Sequence, residues 1–227
     1  MKRLATPLCL FIGAMIALSP GAAHAQQLII DYVGFDYEVP APPPGQFGQL
    51  GSSYVGLGVV PNLFAPLVSD TSLNQYTYVV SGMSVVSRQV FGNFVIIDYS
   101  PGTLSVYQDA KLGGTPAVWA PNPPNAQAPG SFTDGSLYLQ GTLSNFQFVL
   151  NTANGSGSYE AACVWNAGSN VSDIPAGDRT GWTFAGATSN ALNIPQGYAH
   201  QIDGQNFIIL ATSTRRTTWG GLKSTYR

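Results

Sequence analysis

Beyond residue 25 this 227-residue chain has one histidine, His200, and that limits the chemistry open to it. A single imidazole cannot build a multi-histidine metal site. A Ser-His-Asp triad would need His200 as base, Asp203 as the orienting carboxylate, and a serine that no Gly-x-Ser-x-Gly elbow supplies. The segment GYAHQIDG, Gly197 to Gly204, reads more simply as a polar loop entering the last strand. Paired carboxylates are the other route to catalysis. Glycoside hydrolysis needs two acids about 5–10 Å apart across a cleft. The candidates are Asp98, at the end of the apolar run Phe94 to Ile97, together with Asp134 and Glu160, which follows Tyr159. Nothing in their spacing makes any two converge, and solvated positions on outer faces or turns account for all three.

Loop carboxylates raise a second chemistry. Asp134, Asp173, Asp178 and Asp203 offer oxygen ligands for a structural calcium. No EF-hand spacing gathers them, and ordinary Asx turns explain them as well, so no cofactor is expected. Flat rings on loops can stack on sugars. Trp119 sits in a Pro-rich stretch and Trp182 follows Gly181, so these two are the candidate ligand-binding rings, with core capping as the competing role. Cys163 is the only cysteine after Cys9. It permits neither an internal disulfide nor a cysteine zinc cluster, and reads as a small buried hydrophobe in a strand.

The start of the chain has the order of a secretory signal peptide over residues 1–25: Met1-Lys2-Arg3, an apolar run from Leu8 to Leu18, then Ala23-His24-Ala25. The working protein is therefore expected to begin at Gln26 and to act in the periplasm, at the cell surface or outside the cell. After Ala25 no apolar run approaches the roughly 20 residues of a membrane-spanning helix. Charged residues make up 9% of the chain, against roughly 25% in an average soluble protein. Eleven Phe, eleven Tyr and four Trp supply a core and argue against disorder. All eleven acids follow Ala25, while the body holds only Arg88, Lys111 and Arg179 as cations. A body of that sign repels nucleic acid.

The elements that must position these residues are strands. Helical spacing is nearly absent. Period-2 and short apolar runs recur instead at Leu28–Tyr37, Tyr54–Val60, Gln75–Val86, Val90–Tyr99, Thr103–Asp109, Ser136–Leu150, Ser156–Trp165, Gly181–Phe184 and Asn206–Ala211. Reversals are expected at Ser87-Arg88-Gln89, at Ser100-Pro101-Gly102 and at Asn151–Gly155. Sequential antiparallel strands at this spacing predict one all-β domain over residues 26–210, a single antiparallel β-sandwich of jelly-roll type. The Pro- and Gly-rich stretches 40–51 and 113–135 are read as long surface loops.

Residues 211–227 form a basic, aromatic tail containing Arg215, Arg216, Trp219, Lys223, Tyr226 and Arg227. Its last ten residues, TWGGLKSTYR, resemble the short Trp-Gly-x-Ile/Leu-Lys-x-x-Tyr-Arg endings of some secreted proteins from Gram-negative bacteria. That resemblance implies a terminal address or attachment element. The whole reading is a secreted or cell-surface, non-catalytic protein with a binding, adhesion or extracellular structural role. Polysaccharide or cell envelope is the expected partner. A glycoside hydrolase or polysaccharide lyase on the same scaffold is the enzymatic alternative. A self-assembling fibre subunit, whose apolar arm Gln26–Val33 adds to a neighbour's open sheet edge, is the third.

Overall fold

Strict alternation of small or polar residues with large apolar ones carries the architecture. On one strand Tyr159, Ala161, Cys163 and Trp165 are buried while Ser158, Glu160, Ala162 and Val164 face outward. A computed structural model describes residues 24–43, 45–118, 130–190 and 193–211, without the side chains of 24, 25 and 209–211. The leader through residue 23, Trp119 and the six tail residues singled out above lie outside the described residues. Nine strands follow in order: β1 (His24–Val39), β2 (Ser53–Leu63), β3 (Asn74–Phe91), β4 (Phe94–Tyr99), β5 (Gly102–Ala110), β6 (Ser136–Asn151), β7 (Ser156–Ala167), β8 (Trp182–Ser189) and β9 (His200–Ala211). Residues 26–209 make one compact unit.

The chain is all-β and antiparallel, but the expected sandwich is corrected to a barrel. Strands consecutive in the chain pair with one another except β4 and β5, and β9 returns to β1. This closes eight antiparallel strands, with β4 as an extra one. A jelly roll needs long crossovers between sheets, whereas the connections here join adjacent lanes. Closure also leaves β1, which holds Gln26–Val33, flanked by β2 and β9. The apolar arm is therefore a wall of the barrel, not a free edge.

Of the three expected reversals, one falls elsewhere and one is absent. Ser87-Arg88-Gln89 lies within β3, where Arg88 pairs with Ile97, and the turn comes at Gly92-Asn93. Gly92 has φ of 60°, the left-handed region that a tight reversal uses and glycine tolerates. Ser100-Pro101 does not reverse the chain. β4 and β5 lie in one lane, both antiparallel to β3 on one side and β6 on the other. Pro101 has no N–H to give the ladder, so it interrupts the lane without turning it. The third reversal, Asn151–Gly155, is where it was expected, with Gly155 N donating to the Asn151 carbonyl at 2.8 Å and Gly155 at φ 69°.

An eight-stranded barrel is just wide enough inside for side chains. This one is filled with rings. Tyr32 meets Tyr78 edge-on at 4.8 Å, and Phe146 stacks on Tyr159 at 5.8 Å. Two cross-strand glycine pairs, Gly34–Gly58 and Gly186–Gly204, make room for them. A Cβ on Gly34 would stand 2.1 Å from the Leu57 carbonyl oxygen and 2.7 Å from the Tyr78 hydroxyl, and one on Gly204 would stand 2.1 Å from the Tyr159 hydroxyl. Cys163 is buried in this core, and desolvation pushes its thiol far up from the usual range. A second cluster, Tyr37, Leu57, Val79 and Phe132, lies under the connection between β5 and β6 on the outer wall. No helix among the described residues is long and apolar enough to cross a membrane.

Candidate functional site

One end of the barrel concentrates buried charge. On β1, Gly34, Asp36 and Glu38 share the inner face, because side chains two apart on a strand point the same way. His200 opens the neighbouring strand β9. Asp36 is fully buried and lies against His200, with Nδ1 3.0 Å from Oδ1 and 3.3 Å from Oδ2. The His200 backbone N–H donates to the same Oδ1 at 2.8 Å, and Ala199 N–H donates to the Asp36 carbonyl at 2.7 Å. Burial lowers the basicity of His200, but the Asp36 carboxylate outweighs it and holds the ring above its ordinary pKa, with Glu38 adding to the effect. This pairing places a proton on Nδ1 and leaves Nε2 as the ring nitrogen available to a ligand.

Glu38 ties a loop into the barrel. Its two carboxylate oxygens accept from Gly48 N–H at 3.1 and 2.9 Å, and Oε1 also accepts from the Tyr99 hydroxyl at 3.2 Å. Those bonds fix residues 45–51 so that Phe47 enters the barrel. There it meets His200 edge-on at 4.8 Å and Phe148 at 5.7 Å. Desolvation pushes Glu38 up to about 7, against the lowering pull of Gly48 and Tyr99.

Both groups therefore bind a proton more tightly folded than unfolded. Wherever the folded chain holds more protons, stability falls as pH rises. For Glu38 the loss runs from 4.5 to about 7. For His200 it continues as pH climbs through the raised folded value. Glu38→Gln keeps an acceptor for Gly48 and removes the buried charge. Its unfolding free energy is expected to exceed that of the parent by about 3 kcal/mol at about pH 8 and to match it near pH 4.5. Denaturant titrations at the two pH values check this, and equal differences at both would contradict it.

Beside this cluster a cleft of about 420 Å³ opens between the loop after β1, the β6–β7 turn and the β8–β9 loop. Tyr37, Pro42, Phe47, Leu150 and Tyr198 line its apolar walls, and Glu38 and His200 lie at its base. That volume falls within the roughly 300–1,000 Å³ of small-molecule sites, which are mostly apolar with a few placed polar groups.

The residues picked from sequence are dispersed. Asp203 stands three residues from His200 on β9 and faces outward, because an odd separation on a strand reverses the face. Asp36 is the carboxylate that His200 meets. Asp98 and Glu160 sit on the outer wall on either side of Gln147, whose amide donates to Asp98 at 2.8 Å. Two strand spacings put them about 10 Å apart. The shallow depression beside them, lined by Asn145, Gln147, Glu160 and Thr183, contains no aromatic ring. Asp134 is exposed at the opposite end, just before β6. Asp173 accepts from Asn170 at 2.9 Å, and among the described residues no three metal-binding side chains gather. Trp182, a candidate ligand ring with core capping as its competing role, is 2% exposed and packed edge-on against Trp165 at 5.8 Å, with its indole N–H on the Asp178 carbonyl. The residues missed from sequence are Asp36, Glu38 and Phe47. Two acids at i and i+2 within the apolar run Leu28–Tyr37 and its extension would have marked a buried charged face. The chain matches no protein-family model, no curated protein and no solved structure.

Proposed function

We propose that the chain is an exported, non-catalytic binding protein, and that the cleft at the end of the barrel is its ligand seat. The observation that carries the reading is the combination, in one small-molecule-sized cleft, of apolar walls with a single imidazole oriented by a buried carboxylate. The ligand this fits is a small amphipathic molecule. Its flat or aliphatic body lies against Phe47, Leu150 and Tyr198, and a hydroxyl or N–H head donates to His200 Nε2. With Trp182 buried, such a molecule suits the described surface better than a polysaccharide chain does.

Titration with the neutral fluorescent probe N-phenylnaphthylamine tests the seat. Saturable binding is expected, weakened at least about tenfold by Ala153→Trp, which fills the cleft, at an unchanged unfolding midpoint. Equal affinity in parent and variant overturns the reading. Export and attachment belong to the same proposal. Deleting residues 215–227 is expected to move the protein from the cell fraction into the medium, and an unaltered distribution contradicts a tail that attaches.

One observation favours a second reading. Asp36, His200 and a Glu38 with pKa near 7 form a set suited to general acid–base catalysis at the cleft. Turnover of any small carbonyl or ester substrate that disappears in His200→Gln would favour it over simple binding.

A further inference from the structure

The two ends of the barrel differ in charge. The mouth, where the cleft opens, is built from the described residues of four connections, which run through 40–52, 92–93, 152–155 and 190–199 in the sequence. None of these contains an Asp, Glu, Lys or Arg. At the opposite end, the connections 64–73, 111–135 and 168–181 carry Asp70, Lys111, Asp134, Asp173, Asp178 and Arg179. Both ends expose apolar side chains. At the far end Val68, Leu73 and Leu112 stand among those charges. At the mouth Leu50 is 70% exposed, Val90 57%, Phe91 58% and Phe94 50%, and no charged connection lies beside them. Phe91 and Phe94 are cross-strand partners at the tip of the β3–β4 hairpin, which runs on past the last β2–β3 pair, Ser53–Ser84. Leu50 stands lower, at the base of that hairpin, where Gly51 N–H donates to the Val85 carbonyl at 3.0 Å.

We infer that the mouth of the barrel docks on a lipid bilayer, with Val90, Phe91 and Phe94 entering the interface. A charged loop carried into that layer would lose its hydration; the four connections at this end carry no charge, and the nearest cation, Arg88 on β3, keeps its guanidinium on the Phe47 carbonyl at 3.2 Å. The outer wall sets the depth. Asp98, Gln147 and Glu160 begin a few residues below the hairpin tip and stay in water, so the contact is confined to the rim. A bilayer suits the rim better than a protein partner, because the four connections offer no charged side chain to pair with one across an interface. The attraction is apolar, so it requires no anionic lipid and no low salt. Docking does not depend on what fills the cleft, but it would place the cleft's opening against the layer where amphipathic molecules reside.

Flotation of the exported chain with phosphatidylcholine vesicles tests the proposal. Binding is expected at low salt and equally at about 0.5 M salt, where surface charge is screened over a few ångströms. The triple variant Val90→Ser, Phe91→Ser, Phe94→Ser is expected to float at least about tenfold less. The matched far-end triple, Val68→Ser, Leu73→Ser, Leu112→Ser, is expected to float like the parent. Phe94→Trp, a milder change, is expected to shift its fluorescence to the blue on adding vesicles. Absence of flotation in the parent overturns the proposal, as does flotation confined to phosphatidylglycerol and abolished by salt, which would assign the contact to the basic tail. A mouth triple that floats normally but dissolves a dimer of the parent would assign the rim to a second copy and overturn it too.

Discussion

Asp36→Ala is expected to lower the unfolding free energy by about 3–5 kcal/mol, among the largest effects available in this chain. The carboxylate is fully buried and engaged from two sides, by the His200 ring and by the His200 backbone N–H. Its removal strands a buried imidazole and a buried amide at once, and each loses a charge-assisted partner. Asp36→Asn keeps an acceptor for the amide but not the charge, so it should fall between parent and alanine. Denaturant unfolding measures the difference. A loss below about 1 kcal/mol for Asp36→Ala would mean that the pair contributes little to holding β1 against β9.

Gly204→Ala is the second large effect, and it carries an internal control. The new Cβ would meet the Tyr159 hydroxyl at 2.1 Å, while the next atoms, Tyr159 Cζ and the Ala185 carbonyl oxygen, lie at 3.2 and 3.4 Å. The clash is thus almost wholly with one hydroxyl, and that hydroxyl is buried without a hydrogen-bond partner among the described residues. Overpacking of this kind costs about 1–3 kcal/mol. Tyr159→Phe alone is expected to be neutral or slightly stabilising, since it removes an unsatisfied polar group. The double variant Gly204→Ala, Tyr159→Phe is expected to recover most of the loss, giving a coupling of at least about 1 kcal/mol. Additive effects in the double variant would contradict the described packing. Gly34→Ala offers no such rescue, because the obstacle there is the backbone oxygen of Leu57.

What the sequence made legible follows from how local each signal is. The β class was readable because inside–outside alternation is written into every strand, most plainly in Tyr159–Trp165. The turn at Asn154-Gly155 was readable because a positive-φ requirement sits on a residue that tolerates it. Closure was not readable, since it depends on β1 meeting β9 across most of the chain, and no local pattern encodes that pairing. Pro101 misled for a physical reason. Loss of one N–H can either end a strand or merely interrupt it, and the choice is made by β3 and β6 on either side. The site was hidden by the same long-range closure. His200 is visible as the sole histidine after residue 25, but the carboxylate it meets lies on β1, while Asp203, three residues away, is on the outer face of its own strand. Trp182 looked available because it follows a glycine in a polar stretch, and only the distant Trp165 explains why it is buried.

The ligand seat at the mouth is the claim on which the account turns, and its position can be measured directly. In an isotope-edited NMR experiment on the chain bound to N-phenylnaphthylamine, intermolecular contacts are expected from the probe to the ring protons of Phe47 and His200 and the methyls of Leu150. Contacts confined to the outer wall around Asn145 and Thr183, with His200 undisturbed, would place binding elsewhere and contradict it.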